Sequence, residues 1–277
     1  MQTVLVTGAN GKIGREVVAQ LVARVDEVVA VDRRGGQVVG IDVQSVDLGD
    51  RSAVEQAVAA CDGVIHLGAY PSPEGRAGED TLINNVLTTY VVVDEATRHG
   101  VPVVLASSGS IYGTAWSEEV TYHKEVPVTE ATPVQYVDPY ALSKDVAERI
   151  GAMAARQGIG VLALRFHWVV TAAEIAEQVG KSDPAAGVRN LWGYVELGDA
   201  ARACLLALDH LLATQEPHFE TLLITAADTL RTEGTEKLIN QYSPSTRITT
   251  PIPGTASAFD CSRAADLIGW RPAYAWR

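Results

Sequence analysis

Tyr140 and Lys144 stand four residues apart in Asp138-Pro139-Tyr140-Ala141-Leu142-Ser143-Lys144. On a helix, residues i and i+4 share a face, so the phenol and the ammonium can meet. A cation beside a phenol favours the phenolate and should draw its pKa down from about 10. Such a phenol can exchange a proton with a hydroxyl or carbonyl oxygen while a hydride moves at the adjoining carbon. The pair means little by itself. It gains meaning from a glycine-rich turn near the amino end, Thr7-Gly8-Ala9-Asn10-Gly11-Lys12-Ile13-Gly14.

Gly8, Gly11 and Gly14 lie between an apolar run, residues 4–6, and a helical stretch reaching about residue 23. The three serve different ends, namely the sharp turn, close approach of the backbone to a pyrophosphate, and tight helix-on-strand packing. Asn10, Lys12 and Ile13 complete the turn, where the helix start offers free N–H groups to phosphate. The spacing is G-x-x-G-x-x-G rather than G-x-G-x-x-G. Asp32 closes a second apolar run, 18 residues past Gly14. A carboxylate there accepts hydrogen bonds from the ribose diol and repels a 2′-phosphate, which favours NAD over NADP. Arg33 and Arg34 follow directly, and an arginine is what a 2′-phosphate would use.

Further apolar runs at 43–46, 63–67, 101–106 and 160–166 read as strands, and 51–59 and 80–98 as helices. Asp138 and Pro139 suit the N-cap and first position of the helix that carries Tyr140. Strands alternating with helices, most strands continuously apolar, imply an α/β, Rossmann-type doubly wound parallel sheet covered on both faces. Residues 1–170 would form the dinucleotide-binding domain with the catalytic residues. Residues 171–277, where the alternation weakens, would form a smaller substrate-binding lobe integrated with it. Helices are expected at 171–179, from an Asp199 cap to about 212, and at 233–241 and 262–268, with a strand at 219–224. Tyr90-Val91-Val92-Val93 would point around most of a helix circumference. One side should meet the sheet and the other a second subunit, so a homodimer is expected.

The 277 residues carry 34 acidic against 22 basic side chains, a formal charge of −12. That balance speaks against a nucleic-acid or anionic-membrane partner. Cys61, Cys204 and Cys261 are far apart, with no C-x-x-C or Cys/His ligand spacing, so no metal site is expected. Their sparse, odd number suits a reducing cytoplasm. No apolar run approaches a membrane span of roughly 18 residues.

The chain resembles the extended short-chain dehydrogenase/reductase family, in its NAD-dependent epimerase/dehydratase branch. The likeness rests on the glycine turn, Asp32, Asp47-Leu48, His66-Leu67-Gly68-Ala69, Asn85-Val86, Ser107-Ser108-Gly109-Ser110-Ile111-Tyr112-Gly113 and Tyr140-x-x-x-Lys144. It covers residues 1–170 well and the rest thinly. By that resemblance Asp47 and Leu48 hold adenine, and Leu67, Gly68 and Ala69 line the path to the nicotinamide ribose. Lys144 bonds that ribose, Tyr140 is the acid/base, and Ser108, four before Tyr112, hydrogen-bonds the reacting oxygen. Asn85 would bond to backbone near the site or tether helix to strand. His66 reads as a satisfied core or rim histidine.

Dehydratase members carry acidic residues just after the serine, where Gly109 and Ser110 stand here, and elimination of water needs that second acid/base. Sugar-nucleotide epimerases carry a longer carboxyl lobe. The compact build looks like the uronate dehydrogenase subgroup, which places a carboxylate-binding arginine where Arg189 falls, and an arginine clamps a carboxylate through two parallel bonds. Ser110 and His167 are candidate substrate contacts; Trp168, Tyr122 and His123 are possible pocket liners. The expected function is hydride transfer between NAD and a sugar or sugar-acid hydroxyl, with Tyr140 as acid/base. The alternative is an epimerase that uses NAD transiently. A non-enzymatic, cofactor-sensing regulator fits less well, because such proteins lack the Tyr-x-x-x-Lys pair.

Overall fold

The computed structural model describes residues 2–118, 121–181 and 183–277. Its elements run β1 (Thr3–Thr7), α1 (Lys12–Ala23), β2 (Glu27–Asp32), β3 (Gly36–Val38), β4 (Ile41–Ser45), α2 (Arg51–Val58), β5 (Gly63–His66), α3 (Gly78–Arg98) and β6 (Val103–Ser108). Then come β7 (Glu125–Val126), α4 (Pro139–Arg156), β8 (Val161–Phe166), β9 (Val169–Val170), α5 (Ala172–Gln178) and α6 (Pro184–Gly187). The chain continues through β10 (Val195–Glu196), α7 (Leu197–Thr214), β11 (Phe219–Ile224), α8 (Thr235–Tyr242), β12 (Arg247–Ile248) and α9 (Ser262–Ile268).

Eight strands form one sheet in the order β11-β8-β6-β5-β1-β2-β4-β3. Every pairing in it is parallel except β3 with β4. This is the doubly wound Rossmann-type sheet read from the alternation. Strand order reverses between β1 and β5, so their carboxyl ends open a crevice at the switch point. One face buries Val4, Val6 and Ile65 against α1 and α7. The other buries Leu5, Val64 and Leu105 against α2, α3 and α4. Burial on both faces explains why these strands read as unbroken apolar runs.

Two local expectations change. The third strand is a hairpin, β3 turning into β4 through Val39 and Gly40, both at positive φ. A two-residue turn with that backbone suits the twist of its strands, and three residues without an apolar pattern hid β3. Asp199 is not the cap of α7. Glu196 is, with its carboxylate accepting from the N–H groups of Gly198 and Asp199. Asp199 instead accepts from the backbone N–H groups of Ala273 and Tyr274, each at 2.8 Å, and so fastens the carboxyl-terminal tail. Tyr90 is 40% exposed while Val91, Val92 and Val93 are buried. On α3, Ile83 and Leu87 are exposed alongside it.

The segment after residue 170 divides its packing. β11 extends the main sheet beside β8, and α7 lies against α1. A separate cluster holds Tyr112, Val126, Leu191, Trp192, Ile239 and Phe259 at the carboxyl edge of the sheet. Among the described residues no helix is long and apolar enough to cross a membrane.

Candidate active site

A cavity of about 1560 Å³ runs along the carboxyl edge of the strands, from the ends of β2 and β4 past the glycine turn to Tyr140 and beyond. One small ligand ordinarily takes roughly 300–1,000 Å³, so there is room for a cofactor and a substrate together.

At one end the wall is backbone. Gly8 takes φ +68°, and a Cβ there would lie 2.8 Å from the Gly68 nitrogen on the neighbouring strand's loop. A Cβ on Gly14 would lie 2.1 Å from the Gly8 carbonyl oxygen. The glycines therefore let helix, turn and β5 loop approach as closely as they do. No side chain caps α1, so its first N–H groups face the cavity available to an anion. Asn10, Gly11, Lys12 and Ile13 line the wall. Asp32 lines it as well and accepts from the Asn10 N–H at 3.1 Å. Asp47, Leu48, Leu67, Gly68 and Ala69 continue the wall, and Arg33 lies at its rim, its guanidinium donating to the Tyr70 hydroxyl.

Two side chains, Thr7 and Asn85, hold this wall in place. The Thr7 hydroxyl accepts from the Leu67 and Gly68 N–H groups at 3.2 and 3.1 Å. It also shares a hydrogen bond with His66, whose other ring nitrogen meets Thr89. Burial, helped by the charge of Lys144, pushes the His66 pKa down to about 3. It is the satisfied core histidine that the sequence suggested. Asn85 is a tether: its side chain accepts from the Tyr70 N–H and donates to the Tyr70 carbonyl and the Ser143 hydroxyl. Asn85 does not itself line the cavity; Tyr70, which it holds, does.

Farther along, α4 begins as expected, with the Asp138 carboxylate accepting from Ala141 N–H and Pro139 in the first turn. The helix presents Tyr140, Lys144 and Glu148 at four-residue steps along one face. Tyr140 and Lys144 line the cavity and are almost wholly buried. Ser108 ends β6 and lines the same wall, near enough to the Tyr140 hydroxyl to favour its ionised form. Its own oxygen accepts from the Ser110 N–H and hydroxyl.

The proton affinity differs from the expectation. Burial pushes Tyr140 up to about 12; the nearby Ser108 hydroxyl opposes that and the charge of Asp138 adds to it. The reason is where the ammonium goes. Lys144 Nζ donates to the Ala106 carbonyl at 2.8 Å and sits 5.6 Å from the centre of the Tyr140 ring. Desolvation in turn lowers Lys144 to about 8, with the negative charge of Glu148 working against it. Below lies a buried network that no motif announced. Arg165 forks onto Glu148 at 2.9 and 2.7 Å, donates to the Tyr112 hydroxyl, and Ser107 donates to the same carboxylate.

The far end of the cavity is walled by Ser110, Thr114, Trp116, His123, His167 and Asn190, with Phe259 and Trp168 beside them. Tyr122 is not part of the wall. Arg189 also stands outside it, and this revises the carboxylate-clamp expectation. Its guanidinium donates to the carbonyl oxygens of Ser117 and Glu118. Trp116, Asn190 and Phe259 come from separate loops, and no spacing in the sequence joins them.

The model of the NAD dependent epimerase/dehydratase family matches residues 4–221. An L-arabinose 1-dehydrogenase (NAD(P)(+)) of Haloferax volcanii is 30% identical over 201 residues, 69% of this chain and 77% of that protein. The uronate dehydrogenase of Agrobacterium fabrum is 35% identical over 117 residues, 41% of this chain and 43% of its own. A crystal structure of the Thermus thermophilus UDP-glucose 4-epimerase in complex with NAD superposes with a TM-score of 0.68 at 25% identity, covering 99% of this chain and 94% of that one. The chain spans about half the length of curated plant epimerases that it also matches. The chain belongs to the NAD-dependent epimerase/dehydratase family, and its cofactor is NAD.

Proposed function

We propose that this family member is an oxidoreductase that moves a hydride between a sugar-like hydroxyl or carbonyl and NAD, with Tyr140 as the acid/base. One observation carries the reading. Tyr140, with Ser108 beside it on the wall, opens onto the same continuous cavity as the glycine turn and the uncapped start of α1.

The cofactor supplies the hydride acceptor or donor. The protein does the rest. Gly8, Asn10, Gly11, Lys12, Ile13 and Gly14 offer backbone to the pyrophosphate, and the uncapped helix start favours its charge. The Asp32 carboxylate suits a ribose diol, and Asp47 and Leu48 suit the adenine beyond it. Leu67, Gly68 and Ala69 confine the path toward Lys144. Ser108 holds the reacting oxygen against Tyr140, which gives a proton to a forming alkoxide or takes one from an alcohol. With its pKa raised to about 12, the phenol keeps its proton at neutral pH and is set for the donating direction. Oxidation should then quicken as pH rises.

Tyr140→Phe tests the assignment. General acid/base help contributes roughly 10²–10⁴-fold, so turnover should fall by about that much while NAD binding, followed by calorimetry, stays near wild type. Turnover unchanged in the variant would end the reading. The epimerase relatives support a second reading, transient oxidation and re-reduction of one carbon. NADH absorbance separates the two, since it accumulates for a dehydrogenase and shows no net change for an epimerase.

The exposed stripe Ile83, Leu87 and Tyr90 follows i, i+4, i+7 along α3, the pattern of a helix face that meets another surface. A homodimer through α3 accounts for it; light scattering at the mass of one chain would remove that part.

A further inference from the structure

Charge is shared unevenly along the cavity. The lining cations collect toward the cofactor end and its rim. Lys12 pairs with Glu174, and Arg15 donates to Asn10. Arg33 and Arg76 bracket the Tyr70 ring at 5.1 and 4.0 Å. Beyond Tyr140 the described wall carries no ammonium or guanidinium. Its polar groups are the Ser110 and Thr114 hydroxyls, the Asn190 amide and two imidazoles. Burial holds both His123 and His167 down at about 4, with His123 further lowering His167. Both rings are therefore neutral at physiological pH. The remaining surface is aromatic: Phe259 meets His167 edge-on at 4.8 Å, and Trp116 and Trp168 stand partly exposed at the mouth.

We infer that this far end receives an uncharged sugar, not a sugar acid and not a sugar carried on a diphosphate. The inference rests on the oxidoreductase reading above and adds the substrate class to it. A carboxylate or phosphate taken out of water needs a cation or several N–H donors, or it costs several kcal/mol. The one arginine whose position in the chain suits that purpose, Arg189, gives its donors to Ser117 and Glu118 carbonyls. Its work is to fasten the loop that brings Thr114 and Trp116 into the wall. An uncharged sugar has what this surface lacks and lacks what it cannot serve. Its hydroxyls match small hydroxyl and amide partners, its C–H faces match flat aromatic rings, and it brings no net charge. In the step itself the carbinol C–H bond breaks and its electron pair leaves as hydride for NAD. The O–H proton passes to Tyr140 in its phenolate form, the form that grows as pH rises, and a C=O bond forms. The phenol then gives that proton up to water, so the products are oxidised sugar, NADH and one proton.

The test compares neutral pentoses and hexoses with their uronic acids and with UDP-sugars, under one NADH-formation assay and one product analysis for epimers. Binding is followed independently through tryptophan fluorescence of the NAD-loaded Tyr140→Phe protein, with Trp116 and Trp168 as reporters. The expected result is a neutral sugar with kcat/KM at least about tenfold above its uronic acid, the scale of one unpaired buried charge. That sugar also quenches fluorescence where the uronic acid does not. Asn190→Arg, which supplies the missing cation, should move the preference toward the uronic acid. A uronic acid or UDP-sugar preferred by wild type, with the preference lost in Arg189→Gln or Arg76→Gln, overturns the inference and leaves the oxidoreductase reading standing. No NADH and no epimer from any sugar, in protein that binds NAD, brings down that reading and this one with it.

Discussion

Backbone builds the cofactor end of the cavity, and side chains build the substrate end. At the first, Gly8 and Gly14 leave no space for a Cβ against neighbouring backbone, and the N–H groups of a turn and a helix start face the cavity, with the Asp32 and Asp47 carboxylates farther out. At the second, Thr114, Trp116, His123, His167, Asn190 and Phe259 arrive from different loops and share no segment. A backbone wall has one geometry that several ligand chemistries can share. A side-chain wall can be rewritten residue by residue with the sheet untouched. The relatives of this chain span an arabinose dehydrogenase, a uronate dehydrogenase and UDP-glucose 4-epimerases.

The sharpest way to break the contrast is Gly14→Ala. The added methyl would press on the Gly8 carbonyl, a backbone atom at 2.1 Å, with no flexible side chain to yield. Overpacking ordinarily costs about 1–3 kcal/mol, and here the loss should reach or exceed the top of that range. Urea unfolding and NAD calorimetry should fail together. A variant that binds NAD normally would mean the turn tolerates what its geometry forbids. The matching change at the other end, Asn190→Ala, alters the wall and leaves the fold alone.

Glu148→Ala probes the floor beneath both ends. It leaves Arg165 buried without its carboxylate, and breaking such a pair costs about 3–5 kcal/mol. It also removes the charge that holds the Lys144 proton, so the pH at which activity depends on that ammonium should move down. Replacing both partners with apolar residues should recover most of the stability but not the pH profile. Recovery of both would show the pair to be packing alone.

Legibility follows the same division. The glycine turn, Asp32 and Tyr140-x-x-x-Lys144 each lie within one element or at its end, so spacing along the chain is spacing in space. The continuous apolar runs gave the parallel sheet for the same local reason. What failed depended on distance in three dimensions. Arg189 was placed by its position in the chain, but tertiary packing turned its guanidinium to the carbonyls of Ser117 and Glu118. The lowered phenol pKa assumed that four residues bring the Lys144 charge to the oxygen. The strand carbonyl of Ala106 took the ammonium instead, and burial decided the outcome. Thr7, Glu148 and Arg165 are ordinary residues in the sequence, and only the packed β1, α4 and β8 show their work.

Acid sharpens the comparison less violently, because it touches both ends. Burial holds His66 at about 3 in the cofactor wall, and His123 and His167 at about 4 in the substrate wall. An unfolded chain takes up these protons near pH 6.5, whereas the folded protein refuses them until the pH is near 4. The unfolded state therefore binds more protons in that window, and stability rises with pH across it. The combined effect is a few kcal/mol, read as a lower urea midpoint at pH 5 than at pH 7. His123→Asn should recover part of it. A midpoint independent of pH between those values would mean that the imidazoles reach water in the folded protein.

The smallest effect belongs to an ion pair that joins the glycine turn to the carboxyl-terminal half. Lys12 Nζ meets Glu174 Oε2 at 2.6 Å, with the two side chains 40% and 46% exposed. The contact is as short as the buried Arg165–Glu148 pair at 2.7 Å, but solvent screens it. Glu174 also completes a capping box with Thr171 at the start of α5. Lys12 lowers the Glu174 carboxyl to about 2, more than the Thr171 bonds do. Glu174→Gln keeps the cap, since an amide oxygen accepts the same backbone bond, and deletes only the charge. The loss should stay below about 1 kcal/mol and shrink further with added salt. Freed from its partner, Lys12 should bind the pyrophosphate of NAD more tightly, so the Kd for NAD falls as stability drops slightly. A variant in which affinity and stability both collapse would mean that the bridge between the two ends is structural, and that the backbone wall does not stand on its own.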